Sequence, residues 1–157
     1  KMKKKIFSFL LFIFLSSCGY EATYSLKNRP IYTFSISKLD LIGDRQINLK
    51  IKQRLNSYSN PKVKNEKNFE LKISSDSEKI IITNDASGDA TKFENEITLN
   101  VQVFMNEEYK LNFVIIENFT YDNSSNIFEL ETYENQIKNN LTESAVSKIL
   151  IKLASIK

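Results

Sequence analysis

A clear alternation from Phe93 to Phe104 and a second strand pattern from Tyr109 to Phe119 meet at the tight turn Asn106-Glu107-Glu108. They commit the middle of the chain to a β-hairpin. Ile97, Leu99, Val101 and Val103 share one face of the first strand, and Leu111, Phe113 and Ile115 share one face of the second. A face of this kind has to be buried against another layer.

The flanking segments supply that layer. Ile31, Thr33, Ser35 and Ser37 alternate with Tyr32, Phe34, Ile36 and Lys38, which predicts a strand with one apolar face. Gly43 breaks the chain and Asp44 is suited to cap a helix. From Arg45 to Tyr58 the apolar positions Ile47, Ile51, Leu55 and Tyr58 fall at helical spacing. Asn56 to Asn68, with Pro61, reads as a loop. Phe69, Leu71 and Ile73 alternate, and Ile80-Ile81-Ile82 follows, predicting one long irregular strand or two short ones. Asn84 to Asp89 is a turn cluster with Gly88, and Tyr121 to Asn126 is a loop. A long helix from about Phe128 to Ser155 ends the order β-α-β-β-β-α. The expected class is α+β, with two helices packed on one face of a four-stranded, mostly antiparallel sheet. There is no internal repeat and no second domain.

The last helix carries an irregularity. Leu130, Tyr133, Ile137 and Leu141 form one stripe, but Ala145, Ile149 and Leu153 continue it in steps of four that drift by about 40° each. Val146, Leu150 and Ile151 add apolar surface on other sides. Such a segment is either deeply buried or covered by a partner, and Val146, Leu150 and Leu153 are its candidate partner contacts.

At the other end, Lys1, Lys3, Lys4 and Lys5 precede the apolar run Ile6 to Leu15, which Leu15-Ser16-Ser17-Cys18 closes. This has the layout of a signal peptide and is too short for a membrane span. The Leu-Ser-Ser-Cys ending looks like a bacterial lipobox, in which the cysteine is acylated and becomes the first mature residue. The alternative is a secreted protein with a stray cysteine near its cleavage site. The expected organisation is a signal peptide at 1–17, a lipidated tether at 18–30 and one domain at 31–157. Of 22 basic and 19 acidic side chains, four lysines leave with the signal, so the basic balance belongs to targeting and gives no warrant for a nucleic-acid partner. Cys18 is the only cysteine, so lipidation leaves none for a disulfide.

Composition also bounds the chemistry. With no histidine and only three glycines, histidine-dependent triads, the usual zinc sites and Gly-rich phosphate loops are excluded or badly impoverished. Two Ser-x-x-Lys matches occur, Ser35 to Lys38 and Ser59 to Lys62. The first falls in an alternating pattern, where residues three apart are expected on opposite faces; the second contains Pro61 in a polar loop. No catalytic residue, cofactor or metal is expected.

The lipobox, Cys18-Gly19 followed by an aromatic residue, and the element order together resemble the LptE family. The residues that carry the resemblance include Thr91-Lys92-Phe93 leading into Ile97-Thr98-Leu99-Asn100, Tyr121-Asp122-Asn123 before the last helix, and Ile149 to Leu153 near its end. The resemblance implies a non-enzymatic outer-membrane lipoprotein, anchored by acylated Cys18 and facing the periplasm. It would plug the LptD β-barrel, help it assemble and contact lipopolysaccharide. A pilot or scaffold lipoprotein for another outer-membrane machine is the alternative. The family's lipopolysaccharide contacts are placed on basic residues before the position of Phe93, which here means Lys92, accompanied by Asp85 and Asp89. A denser basic cluster comprises Arg45, Lys50, Lys52, Arg54, Lys62, Lys64 and Lys67, with Glu66 the one acidic residue between 45 and 67. Phosphate groups would suit it, and Lys62 and Lys64 join Lys92 as candidate lipopolysaccharide contacts. The alternative is a solvated helix face with lysine stems lying along the apolar stripe.

Overall fold

The computed structural model describes residues 34–59 and 67–156. The signal peptide, Cys18, the tether, the start of the first expected strand at Ile31 to Thr33, and Lys62 and Lys64 lie outside the described residues.

The elements are β1 (Phe34–Gly43), α1 (Arg45–Leu55) with a 3-10 turn at Asn56–Tyr58, β2 (Lys67–Asn84), β3 (Ala90–Met105), β4 (Glu108–Asp122) and α2 (Ile127–Ser155). The strands form one sheet in the order β1-β2-β3-β4. β1 lies parallel to β2, and β2, β3 and β4 form an antiparallel meander. This is the expected α+β arrangement, β-α-β-β-β-α, with a mixed and mostly antiparallel open sheet.

The hairpin forms as its sequence dictates. Asn106 and Glu107 both take positive φ, 55° and 65°, the pair of left-handed residues that a two-residue turn needs to match strand twist. At the β2–β3 turn, Asp85 Oδ1 accepts from the amides of Ser87 and Asp89 at 2.8 and 3.0 Å, and Gly88 supplies a φ of 94°.

The first strand runs beyond its expected end at Lys38. A bulge at Ser37 shifts the register between Ile36 and Lys38. Phe34 and Ile36 face the core before it, and Leu39 and Leu41 rejoin the same face after it, opposite Leu71 and Ile73. The extra residue hides the continuation from any strict period of two. β1 ends at Gly43, with φ of 102° and its Cα so close to Ser75 that a Cβ would sit 1.8 Å from the Ser75 carbonyl oxygen. Asp44 then caps α1 by accepting from the amides of Gln46 and Ile47 at 2.8 and 3.0 Å.

Both helices cover one sheet face. Ile47, Ile51 and Leu55 of α1 are buried on Phe69, Leu71 and Ile73 of β2, Ile97 to Val103 of β3 and the inward residues of α2. Asn126 caps α2 by accepting from the Glu129 amide.

Candidate functional site

The inner face is not covered evenly, and two polar seams close it where the helices leave the sheet. At the first, Asp44 accepts from Ser77 Oγ at 3.1 Å and pairs with Lys138 of α2 at 3.2 Å, besides capping α1. Burial pushes its carboxyl upward, and the Ile47 amide, Lys138 and Ser77 outweigh that and hold it below the usual carboxylate range. At the second, the Tyr121 hydroxyl donates to Glu134 at 2.8 Å and lies 3.3 Å from the Asn95 side-chain oxygen, while Lys79 pairs with Glu134 at 2.6 Å. Lys79 also lies 3.9 Å from the centre of the Phe93 ring. Burial, and then Glu134, push the Tyr121 hydroxyl well above its ordinary range.

Beyond these seams the meander runs on past α1. The sheet end there, with the β2–β3 turn and the start of α2, exposes Ile81, Ile82, Phe119, Ile127, Phe128 and Tyr133. Ile127 and Phe128 are each 78% exposed, although both are large apolar side chains at the head of a well-capped helix. The same end is acidic: Asp85, Asp89, Glu94, Glu96, Asp122, Glu129, Glu131 and Glu134 stand against Lys79 and Lys92. Both lysines are engaged, Lys79 with Glu134 and Lys92 with Asp122 at 3.5 Å. This end can offer apolar contact and accept positive charge; among the described residues it has no unpaired cation to hold an anion.

The candidates from sequence are thus scattered. Lys92 is exposed on the outer face, pairing in register with Asp122 across β3–β4. Lys62, Lys64 and Cys18 are outside the described residues. Val146, Leu150 and Leu153 are corrected from partner contacts to core: they are 0%, 7% and 0% exposed. The reason is that α2 contacts α1 as well as β3 and β4 along its C-terminal half, so this half needs apolar surface on more than one side. Of the large apolar residues there, Ile151 alone is largely exposed, at 63%.

The basic cluster divides along α1. Lys50 and Arg54 turn to Glu143 of α2, at 2.8 and 4.0 Å, and Lys50 holds that carboxyl below its ordinary range. Lys67 donates to the carbonyl of Ile156 at 2.6 Å. Arg45 and Lys52 lie on the other side of the helix and have no ion pair among the described residues. The Ser35–Lys38 geometry is also corrected. The bulge at Ser37 brings both onto the outer face, opposite Asn68 and Glu70. Each is engaged elsewhere, Ser35 with Asn68 Oδ1 at 3.1 Å and Lys38 with Asp40 at 3.5 Å. Among the described residues no group of His, Cys, Asp and Glu is placed to hold a metal ion, and no helix is long and apolar enough to cross a membrane.

Sequence reasoning missed the exposed end. Its signal was Phe128, which falls off the line of the Leu130-Tyr133-Ile137 stripe beside Ile127 at the head of the helix.

Comparison with known proteins places this architecture. The family described as LptE, Lipopolysaccharide-assembly, matches residues 35–153. No curated protein sequence matches significantly. Among solved structures, the rare lipoprotein B from Shewanella oneidensis is similar with a TM-score of 0.57 and 14% identity, covering 75% of this chain and 94% of that one. A minor lipoprotein from Acinetobacter baumannii gives 0.56 and 9%, covering 81% and 94%. An uncharacterized lipoprotein B from Nitrosomonas europaea gives 0.54 and 13%, covering 81% and 88%. At these identities the structural likeness is one of fold.

Proposed function

Because the chain belongs to the LptE family of lipopolysaccharide assembly, we propose that it is a non-enzymatic outer-membrane lipoprotein that plugs the LptD β-barrel and helps it assemble. In this reading Cys18 is acylated and the domain faces the periplasm, with lipopolysaccharide passing at the barrel it serves. The observation that carries the partnership is the uncovered sheet end. Ile127 and Phe128 stand out into solvent at the head of α2, and Ile81, Phe119 and Tyr133 are exposed at the same end of the sheet, apolar surface that the helices among the described residues leave uncovered. Exposed apolar patches of this sort mark interaction surfaces. They are large enough side chains to anchor a protein contact, and the surrounding carboxylates would favour a partner surface that carries positive charge.

The test is recovery of the barrel. The full chain, purified from outer membranes in a neutral detergent, is expected to bring an LptD-type barrel with it. Changing Ile127 and Phe128 together to aspartate is expected to cut that recovery about tenfold or more while thermal unfolding stays unchanged. Full recovery of the barrel with the double variant would remove this surface from the interface. Separately, Cys18→Ser is expected to accumulate as an unlipidated precursor, and normal processing and attachment in that variant would defeat the anchoring proposal.

A further inference from the structure

The sheet has two edges, and they are defended differently. β1 is interrupted by the bulge at Ser37 and carries the charges of Lys38 and Asp40 beyond it, devices that keep an edge from adding a foreign strand. β4 lacks such defences along most of its length. Its register with β3 is unbroken from Leu111 to Asp122, and it contains no proline. Among the described residues no backbone hydrogen bond joins it to anything but β3. Its one charge between Leu111 and Asp122 is Glu117, which turns inward to Lys148 of α2. Four of its side chains, Tyr109, Val114, Ile116 and Phe119, are large, apolar and about half-exposed.

The sequence of β4 also fits itself. A two-fold axis normal to the sheet runs a second β4 antiparallel to the first and keeps the helices of both copies on one side. Opposite residues then share a face, so the register has to be centred on a residue. Centring on Ile115 sets Glu108 against Asp122, and centring on Glu117 sets that carboxylate against its own copy. Centring on Val114 leaves Lys110 and Asp122 without an opposite charge. Centring on Ile116 sets Lys110 opposite Asp122 twice over, with Ile116 opposite itself, all on the outer face. On the helix side it sets Phe113 opposite Phe119 and Leu111 opposite Tyr121. Cross-strand pairs of opposite charge and of aromatic rings stabilise a sheet, and like charges oppose it. The helix layer fits as well. Lys148 marks the side of α2 that faces β4, and Ser144 and the exposed Ile151 lie on that side at spacings of four and three. Because α2 packs over β3 and β4, the two-fold brings the two α2 helices to about 10 Å, the spacing of packed helices.

We propose that the β4 edge pairs with the β4 edge of a second copy of this chain, antiparallel and centred on Ile116, joining two four-stranded sheets into one. The two-fold closes the contact because each copy uses the same strand, and the defended β1 is left at both outer ends. Lys110 and Asp122 set the register, while Phe113 and Phe119 supply apolar contact beneath the helices. The proposal goes beyond the barrel reading, which rests on Ile127 and Phe128. Phe119 is common to both surfaces and is therefore left out of the test.

The experiment is sedimentation equilibrium of the full chain in a density-matched neutral detergent, over about 1–100 μM protein. The parent chain is expected to dimerise in this range. Ile116→Lys sets two ammonium groups face to face at the two-fold and should weaken the dimer about tenfold or more. Lys110→Glu should also weaken it about tenfold, and adding Asp122→Lys should restore it. Under oxidation by copper phenanthroline, Ile116→Cys should link two copies through position 116, because opposite Cα atoms of an antiparallel pair lie within disulfide reach. Val114→Cys, about 13 Å from its own counterpart, should link only when mixed with Asn118→Cys. A parent chain that stays monomeric overturns the proposal, as does a dimer that Ile116→Lys leaves intact or that does not link through position 116. Loss of the barrel from Ile116→Lys, with a monomeric parent, would give the edge to the barrel and overturns it too. Circular dichroism melting checks the fold of each variant, and the Lys110→Glu and Asp122→Lys exchange keeps the test decisive if Ile116→Lys unfolds.

Discussion

The covered part of the sheet and its overhanging end obey the same patterning rules and reach different outcomes. Around α1 and the C-terminal half of α2, Ile47, Ile51, Leu55, Phe69, Leu71, Ile149 and Leu153 are all fully buried. At the overhang, Ile81 and Phe119 also point to the helix side, in register with Phe93 and Asn95, yet they are 58% and 46% exposed. Element length accounts for the difference. The 18 residues of β2 extend about 59 Å, at about 3.3 Å each. The 11 residues of α1 cover about 16 Å and the 29 of α2 about 43 Å. One helix spans most of the sheet and the other about a quarter of it, so a corner of the inner face has to stay open. What this teaches is that alternation specifies which face a residue takes, while burial depends on whether a second layer reaches it.

The largest expected effect breaks that comparison at its covered side. Leu153→Ala removes a fully buried side chain and is expected to cost about 2–5 kcal/mol in urea unfolding of the protein. Leu150→Lys, which buries an ammonium among core residues, should cost at least several kcal/mol. A cost within about 0.5 kcal/mol for either variant would show that the C-terminal half of α2 is a surface and not core.

The two turn glycines extend the same contrast. Gly43→Ala places a Cβ 1.8 Å from the Ser75 carbonyl oxygen at a φ of 102°, so β1 and β2 must separate there. Gly88→Ala, at a φ of 94° in the overhanging turn, meets nothing within 4 Å. The second should cost only the left-handed strain, about 1–2 kcal/mol, and the first clearly more than that. Equal midpoints for the two variants in chemical unfolding would contradict the close approach at Ser75.

Much of this architecture was legible in the residues. The hairpin, the Asp44 cap and the Ile47-Ile51-Leu55 stripe each carry a local signal, because turn chemistry, capping and helical period are properties of neighbours in sequence. The second half of β1 was not legible, since the bulge at Ser37 resets the period and makes Leu39 and Leu41 look out of phase. For the same reason a strict period of two puts Ser35 and Lys38 on opposite faces. The division of the α1 cations was invisible as well. Whether Lys50 or Lys52 meets Glu143 depends on where α2 crosses, and the two lysines are equivalent in any count of charge. The burial of Val146 and Leu150 likewise depends on α1 lying beside α2, a contact between residues about a hundred positions apart.

Asp44 offers a smaller effect that separates the seam from the overhang. Its carboxyl is held low, so its contribution is fully present above its ordinary range and is lost as pH falls below about 4 and through its folded value. Asp44→Asn keeps an oxygen for the Gln46 and Ile47 amides but removes the charge facing Lys138. Its stability should therefore fall less steeply with acid than that of the parent chain. Asp44→Ala loses the cap as well and should cost about 1 kcal/mol more at neutral pH. Parallel acid slopes for parent and Asp44→Asn would mean that the Ile47 amide, Lys138 and Ser77 together do not hold the Asp44 carboxyl low.

The smallest expected change in stability lies at the overhang, and there the smallness is itself the prediction. Phe128 is 78% exposed, so Phe128→Ser gives up almost no buried area within the domain. It lies in the first turn of α2, just inside the Asn126 cap that accepts from Glu129, where helix propensity differences are a few tenths of a kcal/mol. Chemical unfolding of Phe128→Ser should therefore shift by less than about 0.5 kcal/mol, against the several expected at Leu150. The partner-bound state should respond in the opposite proportion, because a residue that contributes little to its own fold can be an anchor in an interface. A loss of more than about 1 kcal/mol in the isolated protein would show Phe128 packed on the sheet end, and would close the corner that the short α1 leaves open. An unchanged fold together with an unchanged complex would leave the corner open but unused, and the surface that meets the barrel would have to be sought elsewhere on the domain.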